Sequence, residues 1–432
     1  MTASATYEAI DAVWRIESAR LIAGLTRVVR DVGLAEDFAQ DALVAALEQW
    51  PESGVPDNPG AWLMVTAKRR AIDAIRRSAT LERKQAEIGR ALETSLQDSA
   101  TEEVEAAVDG DVGDDLLRLV FISCHPVLAT EARVALTVRL LGGLTTAEIA
   151  RAFLVPESTV AQRIVRAKRT LADAQVPFEV PYGADRDARL SSVLEVVYLV
   201  FNEGYAATAG DDLIRPALCE EALRLGRVLA GLAPDEPEVH GLVALLEIQA
   251  SRMRARVGPS GEAFRLTDQD RALWDRLLIE RGLAALDRAE RLTETLGQGR
   301  GPYTLQAAIA ACHARAATAE ATDWVRIAAL YAALVQRTPS PVVELNRAVA
   351  VGMAFGPAAG LDLVDALASE PVLASYHLLP SVRGDLLARL GRDAEAHEEF
   401  LRAADLTRNT RERDVLLDRA AEVRPGRARS SG

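Results

Sequence analysis

The chain has 432 residues, of which 49% are hydrophobic and 5% aromatic, and its formal net charge is −13. That length exceeds what one core usually organises, so two or three folded units are expected. The acidic balance excludes a protein that coats nucleic acid with its whole surface, because the phosphates would repel it; any such contact must be local.

Alanine, leucine and arginine dominate, and Val and Ile rarely alternate with polar residues, which predicts an all-α fold. No apolar run approaches the roughly 18 to 20 residues of a membrane span. The N-terminus MTASATYEAIDAVWRIE has acidic residues where a signal peptide would be basic, so a soluble, cytoplasmic protein without a membrane partner is expected. Cys124, Cys219 and Cys312 lie far apart and read as buried small hydrophobes of a reducing compartment.

Residues 1–84 form a first helical domain interrupted by WPESGVPDNPGAW, whose prolines and glycines stop any helix. Before that loop, AEDFAQDALVAALEQW is amphipathic, with Glu36, Asp37, Gln40 and Asp41 on its polar side, an acidic face suited to a basic partner. After it, NPGAWLMVTAKRRAIDAIRRS places Lys68, Arg69, Arg70, Arg76 and Arg77 against a single Asp73. Helical spacing makes these cations a stripe, with Leu63, Ala67, Ala71, Ile72 and Ile75 facing a core. Trp62 heads the helix: an aromatic beside a cationic stripe suits stacking on unpaired bases, although a lone tryptophan is more often core.

Residues 85–115 are strongly acidic and poor in large apolar side chains, which predicts a flexible linker. A second helical domain, 116–175, ends in LTTAEIARAFLVPESTVAQRIVRAKRTL. Thr145 or Thr146 is the N-cap of a short helix whose inner face carries Ile149 and Phe153; LVPES is the turn, and a longer helix starts near Glu157. Val160, Ile164, Val165 and Leu171 are expected inside. Ser158, Thr159, Gln162, Arg163, Arg166, Lys168 and Arg169 are expected on the surface, with Glu157 at the start. Short hydroxyls and an amide near the N-terminus, followed by cations, are what a helix needs to reach base edges and phosphates.

Residues 176–189, rich in Pro and Gly, form a second linker. Residues 190–425 contain amphipathic helical segments, with one turn signal in ARVGPSGEAFRLTDQDR compatible with a small hairpin, and 426–432 form a disordered tail. LLARLGRDAEAHEEFLRAADL places Leu386, Leu390, Gly391, Ala396, Phe400 and Ala403 as a tetratricopeptide helix pair does, and WVRIAALYAALVQRTPSPVVELNRAVAV is a looser second unit. An irregular helical bundle is the alternative.

Together these segments resemble an extracytoplasmic-function sigma factor of the sigma-70 family. AEDFAQDALVAALEQW and NPGAWLMVTAKRRAIDAIRR resemble region 2, LTTAEIARAFLVPESTVAQRIVRAKRTL resembles region 4, and FISCHP with the long extension looks like the subgroup carrying a tetratricopeptide-like domain. The turn reads FLVPE where such units commonly have a glycine. The resemblance implies that Asp37, Gln40 and Asp41 bind core RNA polymerase. It further implies that Trp62 and the Lys68 to Arg77 helix recognise and open the −10 promoter element, and that the helix from Glu157 reads the −35 element. The C-terminal domain would regulate this assembly or receive a regulatory protein.

The rival reading is a DNA-binding activator or repressor with a helical-repeat sensor domain. An enzyme is not expected. His240, His313, His377 and His397 show no ligand spacing, Cys312 and His313 point about 100° apart on one helix, and no phosphate loop or dinucleotide fingerprint occurs, so no catalytic residue, metal or cofactor is assigned. The polar residues of FNEGYAA and VVELNRAVAV, Asn346 among them, are expected to be buried hydrogen-bonding groups.

Overall fold

A computed structural model describes residues 3–89, 112–153, 155–205, 214–258, 264–407 and 409–424. The chain divides into two compact units, Met1–Leu199 and Val200–Gly432. The all-α expectation holds: the described residues contain helices and no extended strand.

The first unit opens with α1 (Ala3–Val29), α2 (Val32–Ser53) and α3 (Pro59–Gly89). Arg30 takes a left-handed conformation, φ 55°, which turns the chain sharply, and Asp31 then caps α2 by accepting from Leu34 N at 2.8 Å. Gly54, at φ 83°, ends α2. Asn58 Oδ1 accepts from Ala61 N at 3.0 Å, so the Asn-Pro pair that reads as a helix stop is also the start of α3. Ala35, Ala39, Ala42, Ala46, Ala67 and Ala71 let the three helices approach closely around Leu21, Leu25, Trp50 and Leu63, all buried.

Four further helices follow: α4 (Val112–Ser123), α5 (Thr130–Leu140), α6 (Thr146–Phe153) and α7 (Glu157–Asp173). Both ends of the acidic segment 85–115 are helical, because α3 continues to Gly89 and Asp114 and Asp115 already belong to α4; residues 90–111 lie outside the described residues. Asp115 is buried between Arg27 (3.3 Å) and Arg118 (2.8 Å), and burial, outweighing both cations, raises its carboxyl above the ordinary range.

Helix α8 (Gly183–Tyr205) begins inside the proline-rich segment and runs through the boundary between the units. Its first half is tied to the first unit: Ser192 donates to the Cys124 carbonyl at 2.6 Å, and Arg133 reaches Ser192 and Glu195. In the FISCHP motif the Cys124 sulfur lies 3.2 Å from Thr137 Oγ1, and burial pushes its thiol up to about 11. Burial likewise pushes Cys219 to about 12. Both thiols should therefore resist iodoacetamide at pH 8 in the folded protein and react only after denaturation, as mass spectrometry of alkylated peptides would show.

The second unit continues with α9 (Pro216–Leu232), α10 (Pro237–Ala250), α11 (Met253–Arg256), a 3-10 turn at Arg271–Leu273, α12 (Arg276–Thr295), α13 (Pro302–Arg315), α14 (Trp324–Arg337), α15 (Pro341–Ala354), α16 (Pro357–Leu367), α17 (Leu378–Arg389), α18 (Asp393–Leu406) and α19 (Thr410–Glu422). Five of these helices start with proline at the first turn, so the breaks visible in sequence are helix entrances. Neighbours in sequence pack on each other, and the last helices close one core around Phe400, Leu386, Leu387, Val364 and Leu416.

In the LLARLGRDAEAHEEF unit, a Cβ at Gly384 would sit 2.8 Å from the Phe400 ring, so glycine on α17 makes room for the aromatic of α18. Gly391, at φ 76°, supplies the turn between them. Leu386, Ala396, Phe400 and Ala403 are buried, whereas Leu390 is exposed. Asn346 is also exposed rather than a buried hydrogen-bonding group. Of the hairpin expected near Gly258, Phe264 N donates to Arg256 O at 2.9 Å, and residues 259–263 lie outside the described residues.

Candidate nucleic-acid interface

In the first unit the buried residues Leu63, Ala67 and Ala71 fix the rotation of α3. Arg69, Arg76 and Arg77 are thereby exposed, and Lys68 and Arg70 half-buried. Ile75 is 36% exposed, so it sits beside the cations rather than in the core. Arg70 turns back to α2, donating to the Asp41 carbonyl at 2.8 Å and pairing with its carboxylate at 3.4 Å. Trp62 is half-buried and packs edge to face on Trp50, ring centroids 5.3 Å apart, so its indole is at least partly a core element.

The helix-turn-helix geometry is set by α6 and α7. Thr145 and Glu148 form a reciprocal cap: Thr145 Oγ1 accepts from Glu148 N at 3.1 Å, and Glu148 Oε2 accepts from Thr145 N at 2.8 Å. Pro156 then starts α7 at Glu157 without a glycine in the turn. Val160, Ile164, Ala167 and Leu171 are the buried stripe of α7. Val165, expected inside, is 64% exposed, because the heptad stripe passes through Ala167 instead.

Glu157, Ser158, Gln162, Arg166 and Arg169 are exposed, and Thr159 and Arg163 are half-buried beside them. Lys168 does not share that outer surface. Its ammonium lies 2.6 Å from Glu36 Oε2, while Arg139 of α5 donates to Glu36 Oε1 at 2.7 Å. Glu36 was expected on a solvated acidic face, but it is 3% exposed. Burial alone would raise its pKa; Lys168 and Arg139 overcome that and hold the carboxyl below its ordinary range. Gln40 donates to the same carboxylate at 2.7 Å, whereas Asp37 and Asp41 remain exposed.

Helix α2 therefore holds one cation from each basic helix, Arg70 of α3 and Lys168 of α7. It also exposes Leu34, Val44 and Leu47, which charge-based reading of that face passed over although their helical spacing was available. In the second unit, His240 contacts the Pro234 carbonyl at 2.8 Å, His397 that of Ala420 at 2.7 Å, and His377 lies 3.3 Å from Glu412. These histidines are each engaged locally.

A basic stripe on one helix and a capped helix-turn-helix in the same unit place the chain in the class of helical helix-turn-helix proteins. Family models narrow that class: Sigma-70 region 2 matches residues 16–80, Sigma-70 region 4 matches 118–171, and a family of unknown function, DUF6596, matches 189–290. An uncharacterized protein of Rhizobium meliloti (strain 1021) is 44% identical over 388 residues, covering 90% of this chain and 89% of the relative. The probable ECF RNA polymerase sigma factor SigI of Mycobacterium tuberculosis is 28% identical over 40% of the chain and 58% of its own length. The ECF RNA polymerase sigma factor SigK of Mycobacterium ulcerans is 29% identical over 34% of the chain and 75% of its own length. No solved structure matches the chain. The chain belongs to the extracytoplasmic-function sigma factors of the sigma-70 family, with a C-terminal helical extension.

Proposed function

We propose that this sigma factor binds core RNA polymerase through the α2 face that exposes Asp37, Asp41, Leu34, Val44 and Leu47. The α3 stripe with Trp62 recognises and opens the −10 element, and the outer face of α7 reads the −35 element. The observation that carries this reading is the presence, in one unit, of a basic helix and a helix-turn-helix that both pack on α2. Phosphate contacts by Arg69, Arg76 and Arg77 would supply affinity, and Ser158, Gln162 and Arg166 would discriminate bases. The second unit, with its stacked helix pairs of tetratricopeptide type, regulates the assembly.

The test is promoter binding and transcript formation with and without purified core polymerase, using the full chain and a truncation after Leu199. That endpoint keeps the Ser192 and Glu195 contacts of α8 with the first unit. Specific initiation that requires polymerase is the expected result, and a difference between the two lengths gives the sign of the regulation. Equal duplex binding by the protein alone, with no initiation, would replace this reading with that of a conventional activator or repressor.

A further inference from the structure

Within the second unit, cationic and aromatic side chains gather without carboxylate partners. Arg252 and Arg256 come from α11 and its N-terminal edge, Arg271 and Trp274 from the 3-10 turn, Tyr205 from the end of α8, and His313 from α13. Arg256 lies over the Tyr205 ring at 3.8 Å and Arg271 over Trp274 at 4.7 Å. Arg252 lies 5.9 Å from the Tyr205 centroid and 5.7 Å from that of Trp274. His313 packs edge to face on Trp324 at 5.2 Å.

The polar contacts of the arginines are neutral. Arg252 donates to Tyr205 Oη at 2.8 Å and to Gln249, Arg256 to the Tyr205 carbonyl, and Arg271 to the His313 and Ala316 carbonyls at 2.5 and 2.7 Å. Elsewhere in the unit, Arg215, Arg227, Arg347 and Arg383 each pair with Glu or Asp. Among the described residues no ion pair is formed by Arg252, Arg256 or Arg271. The acidic groups they feel are Glu412, already held by Thr407 at 2.8 Å and by His377, and the exposed Glu320.

Two buried donors of this cluster have no hydrogen-bond partner, Arg252 Nε and Trp274 Nε1. Their residues are 9% and 4% exposed. Two unpaired buried donors beside guanidinium groups that have no carboxylate partner leave hydrogen-bonding capacity and positive charge for an anion. Burial, then the neighbouring Arg252 and Arg271, pushes His313 down to about 4, so it is neutral at pH 7 and adds no competing charge. Arg256, Tyr205 and Arg271 form a half-buried edge to this otherwise buried set.

We propose that this cluster is a binding site for the oxyanion, carboxylate or phosphate, of a small organic acid. The guanidinium forks of Arg252 and Arg256 and the indole N–H of Trp274 would donate to it, and the ring of Tyr205 would flank the body of the ligand. Such a ligand would make the second unit a sensor within a transcription factor.

The test uses the full-length protein, thermal melting and tryptophan fluorescence, since Trp274 and Trp324 report from the cluster. Inorganic phosphate is titrated in one arm, and benzoate and citrate in another, against sodium chloride of equal ionic strength. A saturable response and a rise in Tm of about 3 °C or more are expected in one arm below about 10 mM. The responding arm identifies the source of the oxyanion. Arg256→Gln should weaken that response at least about tenfold. Trp274→Phe, which keeps the ring and removes the N–H, should weaken it at least about threefold, and it serves if Arg256→Gln does not fold. No saturable response in either arm, or an unchanged response in a folded variant, overturns the proposal.

Discussion

Glu36→Gln is expected to destabilise the first unit by about 3 kcal/mol, because it leaves Lys168 and Arg139 facing each other with no carboxylate between them. The value sits at the lower end for a broken buried pair, since both cations keep about a fifth of their side-chain exposure. Urea unfolding of the wild type and the variant measures it. The pH dependence has a definite sign. Glu36 is held below its ordinary 4.5, so its contribution is complete above that pH and is lost as the pH falls through the lowered folded value. The two proteins should therefore differ fully at pH 7 and converge in acid. A constant difference from pH 7 to pH 3 would mean that Glu36 acts by shape and hydrogen bonding rather than charge. Release of Lys168 should also raise non-specific DNA affinity and steepen its salt dependence.

Alanine at Arg69, Arg76 and Arg77 together is expected to abolish promoter opening while leaving the fold intact, since all three are exposed on α3. Three lost contacts to single-stranded DNA predict that the slope of log affinity against log salt falls by about 2. Affinity of the polymerase-bound protein for a fork-junction promoter should drop about 100-fold near 0.15 M salt. The change in Tm should stay within about 3 °C, because all three side chains are exposed and the bond from Arg77 to the Asp73 carbonyl, 3.2 Å, is a surface one. An unchanged salt slope would remove α3 from the DNA interface. Arg70→Ala serves as a contrast: its pairing with Asp41 gives it a structural task, so its loss should act more on stability than on the slope.

Much of this architecture was legible from periodicity and end signals. The α3 start at Asn58-Pro59, the Thr145 cap, the entrance of α7 after Pro156 and the proline-headed helices of the second unit all follow from local chemistry that precedes any tertiary contact. What was not legible depended on distant partners. Glu36 sits in a polar run and looks solvated until α5 and α7 bring Arg139 and Lys168 to it. Asp115 looks like the end of an acidic tract until Arg27 is placed beside it. Val165 is as apolar as Ile164, and only the choice of Ala167 for the closest approach turns it outward. The cationic cluster of the second unit was invisible because its members lie more than 100 positions apart, from Tyr205 to His313, with no recurring spacing.

The double engagement of α2, Asp41 with Arg70 and Glu36 with Lys168, makes that helix a point of thermodynamic linkage. A partner that engages α2 and loosens those pairs releases cations for phosphate, so its binding raises the affinity for DNA. By reciprocity, DNA that captures those cations raises the affinity for the partner by the same factor, tenfold for each roughly 1.4 kcal/mol of coupling. Occupancy of a promoter would then report the concentration of the assembled pair, and an excess of the protein alone would compete poorly for the genome.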